Sequence, residues 1–402
     1  MFLIYSFIIR SYGLILYCLS PFHLKAKQLH TGRTSQLAEL KSAVSGWQSG
    51  KAIWIHAASY GEYEMARPIV RELLKEGQDQ IIISFHSPSG YTQAKLEDPR
   101  MVKIYLPLDT YGKQAEIVDI IQPNKVLFIK YEFWFNLLRV LRDQKVDYYY
   151  SSLHLNPDSY LFSWIMKPLY RYIKESTHIF CHNKNSLEIL NDNGVTSCSV
   201  IGDTRITQSL KNKEIWRENV AWNMDYNHVI ALGSMTKKEL PYIIDLVESL
   251  TSTAFIIAPH DPETDTELII SKITEPVSYY SDKHRQDSRI LILDTMGDLR
   301  YIYGYASLAY VGAGFEKGPH NVLEPLVYGI PIFTGPNISK FPMAQLLQKE
   351  GLLHVIPRIE ELSDTIVKKS QIVDYELFRK RTNEFFQETK DSMSHLITSL
   401  TN

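Results

Sequence analysis

Cysteine is scarce in this chain. Its 402 residues include three, Cys18, Cys181 and Cys198, with no C-x-x-C pair and no histidine at zinc-ligand spacing. That argues against a disulfide framework and a structural zinc site, and it fits a reducing compartment. Small buried side chains are the ordinary use of such cysteines. Charge of one sign is also lacking. Lys and Arg number 43 against 45 Asp and Glu, a formal net charge of -2, so the molecule as a whole carries no footprint of nucleic-acid binding. No short repeat or low-complexity tract is present.

What is present is a globular composition, 45% hydrophobic and 22% charged, in a chain long enough for two domains. The start differs from the rest. "MFLIYSFIIRSYGLILYCLS" is apolar on nearly all faces of a helix, interrupted by Arg10 and a few small polar residues. A spanning helix needs ~20 such residues. No small-x-small site follows, which argues against a cleaved signal peptide. Residues 1–50 carry five basic side chains (Arg10, Lys25, Lys27, Arg33, Lys41) against the single acidic Glu39. Basic residues after an apolar run favour the cytoplasmic side and anionic headgroups. The expectation is that residues 1–22 associate with the membrane while the body lies on its cytoplasmic face. The alternative is an apolar helix packed on the domain itself.

From Ile53 onward, β-branched and aromatic runs alternate with amphipathic stretches. "AIWIHA", "QIIISF", "VKIYLP", "KVLFIK", "VDYYYSS" and "HIFCH" read as strands, with helical patterns over 62–76, 111–121 and 133–142 between them. The alternation restarts with "HVIALGS", "AFIIAP", "RILILD", "LAYVG" and "IPIF". Such alternation predicts right-handed βαβ units and parallel sheets. The expected organisation is an α/β domain over 23–206, a linker over 207–226, a second α/β domain over 227–374, and a polar amphipathic helix over 375–402 that packs back on the first domain. Doubly wound sheets bind ligands at the carboxyl ends of their strands, and a cleft between two such domains is the expected site.

Candidate residues are the polar groups just after strands. Ser59, Gly61 and Glu62 follow the first. Glu62 would sit on the first turn of a helix, where the dipole keeps a carboxylate ionised. Ser59 and Glu62 also spell an S-x-x-E capping box, and the two roles are compatible. Ser87, Ser89 and Gly90 follow the second strand, as ligand donors or as a plain turn and cap. Glu132 follows the fourth, among aromatics. Arg205 in "GDTR" is either a fork for a carboxylate or phosphate or half of an ion pair. In the second half, Gly233, Ser234 and Met235 precede an expected helix start able to hold a phosphate, and Pro259 and His260 end the next strand. "YVGAGFEKGPHNVLEPLVYGIPIFTGP" is the densest segment. Gly312, Gly314 and Gly318 allow close approach in a loop, and His320 precedes Asn321 and Glu324, which share one helix face. The spacing G-x-G-x-x-x-G misses the dinucleotide fingerprint by one residue, which argues against a nicotinamide oxidoreductase.

Taken together, "HAASYGE", "GDTR", "PHD" and "GAGFEKGPHNVLEPLVYGIPIFTGP" resemble the 3-deoxy-D-manno-octulosonic acid (Kdo) transferases of lipopolysaccharide assembly, which have the GT-B glycosyltransferase fold. The resemblance runs from about Leu24 to Met343. It departs where Tyr131 to Asn136 replace the family's Thr-Glu-Leu-Trp-Pro-Asn, where Met235 follows Ser234, and where Asp261 follows His260. It implies two Rossmann-like domains, CMP-Kdo as donor, a lipid A precursor as acceptor, and Glu62 as the general base. Ser59, Gly61, Ser87, Gly90 and Glu132 would bind the acceptor or support the base. Arg205, Gly233, Ser234, Met235, Pro259, His260, Gly312, Gly314, His320, Asn321 and Glu324 would hold the donor, with Glu324 on the ribose hydroxyls. No metal is expected, since the leaving group carries one phosphate and the chain has no D-x-D motif. Inner-membrane lipid is the expected surrounding, and Lys25, Lys27 and Arg33 would favour the anionic acceptor. A sugar-nucleotide epimerase of the same fold is the alternative.

Overall fold

A computed structural model describes the chain except for residues 1, 79, 97, 207–208, 211–212, 214–227, 283–287 and 371–373, and gives only the backbone of 2, 3, 263, 370 and 387–392. The chain divides into two compact units, Met1–Arg205 with Thr389–Asn402, and Ile206–Glu388. Of the expected linker, only 209, 210 and 213 fall among the described residues.

The first unit holds a seven-stranded sheet built from β1 (Ala52–His56), β2 (Ile81–Phe85), β3 (Met101–Tyr105), β4 (Pro123–Ile129), β5 (Asp147–Leu153), β6 (His178–Cys181) and β7 (Cys198–Val200). Their order is β3-β2-β1-β4-β5-β6-β7, and the pairings are parallel. Alternate side chains go to opposite faces. Trp54, Ile82, Val126 and Phe128 enter one core, beneath helices that include Tyr111–Ile121, Phe135–Asp143 and Lys167–Lys174. Ile53, Ile55, Ile81, Ile83 and Leu127 enter the other, against the helix Tyr60–Lys75. That helix offers Tyr63, Ala66, Ile69, Val70 and Leu73, the spacing of a single apolar stripe.

The second unit repeats the plan with β8 (Val229–Met235), β9 (Ala254–Pro259), β10 (Val277–Tyr279), β11 (Ile290–Ile292), β12 (Leu308–Val311), β13 (Ile332–Thr334) and β14 (Leu353–Val355), again parallel, in the order β10-β11-β9-β8-β12-β13-β14. The expected α/β architecture of two doubly wound sheets is observed. The last helix, Tyr375–Thr401, starts in the second unit, where Phe378 and Phe386 join the core, and ends in the first, where Met393, Leu396, Ile397 and Leu400 cover the Ile53 face.

The N-terminus forms two helices, α1 (Phe2–Leu19) and α2 (Leu24–Ala43), bent by 116° at their junction. No single helix among the described residues is long and apolar enough to cross a membrane, although the two helices of this bent pair together have that length and apolar composition. α2 guards the sheet edge. Buried Gln36 donates to the Tyr105 carbonyl and accepts from the Tyr105 N–H, both at 2.7 Å, so it occupies backbone groups of edge strand β3. Arg33, expected with Lys25 and Lys27 to favour an anionic acceptor, is engaged within the unit. Its Nε donates to the Leu106 carbonyl at 3.0 Å and its Nη2 contacts His86, because the chain leaving β3 offers an acceptor beside α2.

α1 is tied down by Asp109. This buried carboxylate accepts from the Tyr5 hydroxyl at 2.6 Å and from the N–H groups of Asn136 and Leu137 at 3.0 Å. It caps the helix Phe135–Asp143, whose own flanking residue Trp134 supplies no side-chain cap. Asp109→Ala leaves three donors without their acceptor and is expected to cost about 3 kcal/mol, read from urea unfolding; a loss under about 1 kcal/mol would remove Asp109 from this role.

Candidate active site

In the first sheet, chain order reverses between β1 and β4, so the crevice for a ligand lies at their carboxyl ends. β1 delivers Ser59 and Glu62. Ser59 is extended (φ -127°, ψ 171°) and caps the helix Tyr60–Lys75. Its hydroxyl accepts from the Glu62 N–H at 3.5 Å, and Glu62 Oε2 accepts from the Ser59 N–H at 2.8 Å and hydroxyl at 3.1 Å. This is the capping box written in the sequence. It holds one carboxylate oxygen and fixes the side chain's direction, while Oε1 has no protein partner among the described residues. Ser87 is a cap too, accepting from the Gly90 N–H at 3.4 Å and sharing a 2.6 Å hydrogen bond with Ser89. A Cβ on Gly90 would lie 3.0 Å from the Ser59 carbonyl carbon, so Gly90 lets the second strand's helix press against the turn that carries Glu62.

β4 delivers Glu132, one member of a larger cluster. His56 ends β1 on the same face as Trp54. Its Nδ1 lies 2.8 Å from the Ser84 hydroxyl and its Nε2 3.1 Å from Glu132 Oε2. Trp134 donates its indole N–H to the same oxygen at 2.7 Å. Burial works against ionising Glu132, but the His56 hydrogen bond and charge, with Trp134, outweigh it and hold the carboxyl below the usual glutamate range. His86 is pushed down to about 4 by burial, then by the Arg33 guanidinium and His56. At neutral pH it is uncharged, so Nδ1 can accept the Arg33 N–H at 2.9 Å and its own proton sits on Nε2.

Arg205 closes the unit gripped by Asp203, with Nε 2.9 Å from Oδ1 and 3.1 Å from Oδ2. Burial opposes ionisation of Asp203, but the Arg205 charge and hydrogen bonds prevail and its carboxyl stays low. The ion-pair alternative for Arg205 is therefore present.

In the second unit the chain does not place a helix start at Ser234. β8 runs through Gly233, Ser234 and Met235, and the helix begins at Leu240. The reason is Glu239. Its Oε2 accepts from the Thr236 N–H at 2.9 Å, the Thr236 hydroxyl at 3.2 Å and the Ala313 N–H at 3.1 Å, and its Oε1 accepts from the Tyr310 hydroxyl at 2.6 Å. N–H groups proposed for a phosphate are thus taken by a buried carboxylate. Gly312 fits the same knot, since a Cβ there would stand 2.9 Å from Glu239 Oε2 and 2.8 Å from the Ser234 carbonyl carbon. Gly314 lies against the backbone of Gly335. His260, just past Pro259, and His320 come together with ring centroids 4.6 Å apart; desolvation and His260 both hold His320 below the usual histidine range. Asn321 donates to Glu324 Oε1 at 3.2 Å. The helix there is only Leu323–Leu326, ended by the Gly329 turn (φ 70°), so it supplies no long dipole.

Residues 30–208 match the family model for 3-deoxy-D-manno-octulosonic-acid transferase (kdotransferase). The chain is 25% identical over 381 residues to the 3-deoxy-D-manno-octulosonic acid transferase of Chlamydia muridarum, covering 87% of each. It is 25% identical over 333 residues to that of Haemophilus influenzae, covering 76% of each. These matches support a Kdo transferase. The chain also matches a bifunctional glycosyltransferase/methyltransferase of Fusobacterium nucleatum, 24% identical over 362 residues, of whose length it spans 55%. UDP-GlcNAc 2-epimerase from Neisseria meningitidis has a similar structure, with TM-score 0.59 at 13% identity over 87% of this chain and 99% of that one. At that identity the likeness is one of fold.

For a Kdo transferase of this fold, the residues that sequence reasoning passed over are His56, Ser84, His86 and Trp134 around Glu132, and Glu239 in the second unit. His56 and Glu239 had local signals. The first ends a strand in register with Trp54, and the second completes a T-x-x-E box after β8.

Because the folded pKa of Glu132 lies below that of the unfolded chain, its ionised form stabilises the fold above about pH 4.3. That contribution is lost as pH falls through the lower folded value. Glu132→Gln is expected to be about 1–2 kcal/mol less stable than the parent at pH 7, with the gap closing as pH falls through the lowered folded pKa. Chemical denaturation at pH 7 and at a series of acidic pH values tests this, and a pH-independent gap would contradict it.

Proposed function

We propose that this transferase moves Kdo from CMP-Kdo to a lipid A precursor (lipid IVA) in lipopolysaccharide biosynthesis, with inversion and with Glu62 as general base. The observation that carries the proposal is the state of the Glu62 carboxylate. One oxygen is locked by Ser59 and the other has no protein partner among the described residues, at the carboxyl end of a switch-point strand. The acceptor's primary hydroxyl oxygen attacks the anomeric carbon while its proton passes to Oε1. The bond from that carbon to the CMP oxygen breaks, and attack from the opposite face inverts the centre. Base assistance of this kind is worth roughly 10²–10⁴-fold. Glu132, held by His56 and Trp134, lines the first unit's crevice as a fixed negative charge able to accept from sugar hydroxyls. His260, His320, Asn321 and Glu324 serve the donor, Glu324 through the ribose hydroxyls. Arg205 faces the donor's carboxylate or phosphate with its charge partly offset by Asp203. CMP departs with a single phosphate, so no metal is assigned to the step.

Glu62→Gln is the decisive variant, because glutamine can keep the capping box while removing the base. Transfer from CMP-Kdo is expected to drop 10²–10⁴-fold with CMP binding retained. Full activity in this variant would sink the base assignment. Turnover of a UDP-sugar in place of CMP-Kdo would favour an epimerase.

We further propose that α1 lies in the cytoplasmic face of the inner membrane. Tyr5 and Gly13 hold one side of it against the unit, while Ile4, Phe7, Ile8, Leu14 and Ile15 are exposed on the rest. An amphipathic attachment of this kind needs apolar side chains in the headgroup boundary. Phe7→Asp with Ile8→Asp is expected to move most of the protein from the membrane pellet to the soluble fraction; an unchanged distribution would reject the assignment.

A further inference from the structure

Near the opposite end of the helix Phe135–Asp143 from Asp109 lies a second feature of the first unit, apart from the crevice. A cavity of ≈ 610 Å³ is lined by Arg139, Arg142, Lys167, Pro168, Arg171 and Tyr172. Four cations line it, and the acidic neighbours are Asp143, paired with Arg142 and Arg139, and Glu175, paired with Arg171. The Lys167 ammonium has no protein partner among the described residues. Two guanidiniums are held in place by rings. That of Arg142 sits 4.7 Å from the Tyr172 centroid and that of Arg139 4.7 Å from the Tyr111 centroid. Cations fixed in this way lose little freedom when an anion binds.

The chain that leads into Lys167 carries exposed apolar side chains. Two short turns, Tyr160–Phe162 and Trp164–Met166, lead straight into the helix that carries Lys167 and Arg171. Trp164 is 79% exposed, with Tyr160 and Ile165 also standing out. Packing explains none of these three. The cavity belongs to the same face of the sheet as α1. The Tyr172 ring meets Phe135 edge-on at 5.4 Å, and Phe135 meets Tyr5 of α1 at 5.3 Å.

We propose that this cavity binds the phosphate headgroup of an anionic phospholipid, with Trp164 and Ile165 entering the headgroup boundary beside it as a second membrane attachment of the first unit. A soluble phosphate would account for the cations and leave the exposed tryptophan and isoleucine without a role. A lipid accounts for both, since aromatic side chains favour the interface and basic ones the anionic headgroups. The proposal deepens the membrane reading above and rests on it for bringing the first unit to a bilayer.

The test uses the full chain and flotation with vesicles of phosphatidylcholine alone or mixed with phosphatidylglycerol. Lys167→Gln with Arg171→Gln is expected to weaken binding to the anionic vesicles about 25-fold, at roughly a fivefold loss for each surface cation, and to leave binding to phosphatidylcholine unchanged. Trp164→Ala should weaken both. Lys167→Gln alone, which breaks no ion pair among the described residues, keeps the test decisive if the double variant folds poorly. It should cost about fivefold. Unchanged binding to anionic vesicles in these variants overturns the proposal. So does millimolar inorganic phosphate occupying the cavity without releasing vesicles, or a change of oligomeric state in Trp164→Ala showing that a second copy covers the patch. The α1 variant Phe7→Asp with Ile8→Asp separates the two readings. If it floats as the parent does while Lys167→Gln with Arg171→Gln is released, the α1 assignment falls and the cavity assignment stands.

Discussion

A parallel strand covered by helices on both faces can place a polar side chain cheaply only at its ends. Both sheets here obey that constraint. β1, β2 and β9 are buried along their length, and the residues with chemistry begin where they stop. Burying an unpaired polar group costs several kcal/mol, so the chain has few ways to build a crevice elsewhere. The clusters at Ser59–Glu62, His56–Glu132 and His260–His320 all follow from it, since each gathers where strands release their backbone into loops.

The same local device is used twice with different results. After β1, Ser59 and Glu62 form an S-x-x-E box, and after β8, Thr236 and Glu239 form a T-x-x-E box with matching contacts to N–H and hydroxyl. Glu239 is fully buried and spends its other oxygen on Tyr310, which makes it a clamp joining β8, the Gly312 loop and β12. Glu62 keeps an oxygen outward. What separates the two carboxylates is the second oxygen: in Glu239 it accepts from Tyr310, and in Glu62 it has no protein partner among the described residues.

This also explains what could be seen in the sequence. The capping box at Ser59 was legible because its partners are three residues apart, and the strand-helix alternation was legible because hydrophobic periodicity is local. The cluster at Glu132 was not, since His56 stands 76 positions away from it, nor was the link from Tyr5 to Asp109, 104 positions apart. Strands of three residues such as Cys198–Val200, Val277–Tyr279 and Leu353–Val355 are too short to show a period. The expected phosphate-binding helix start at Ser234 was misplaced because the Gly-Ser turn was read without the Thr236–Glu239 box beside it. Arg33 looked like a surface cation because its acceptor, the Leu106 carbonyl, is a backbone group that composition does not reveal.

The final helix gives the molecule an order of completion. Met393, Leu396, Ile397 and Leu400 cover the face of the first sheet that carries Ile53 and Ile55, yet they follow every residue of the second unit. During synthesis the first unit therefore emerges with one apolar face short of its cover. It waits through the whole of the second unit for the last turns of the chain. Its amino-terminal position does not make it the first part to be finished.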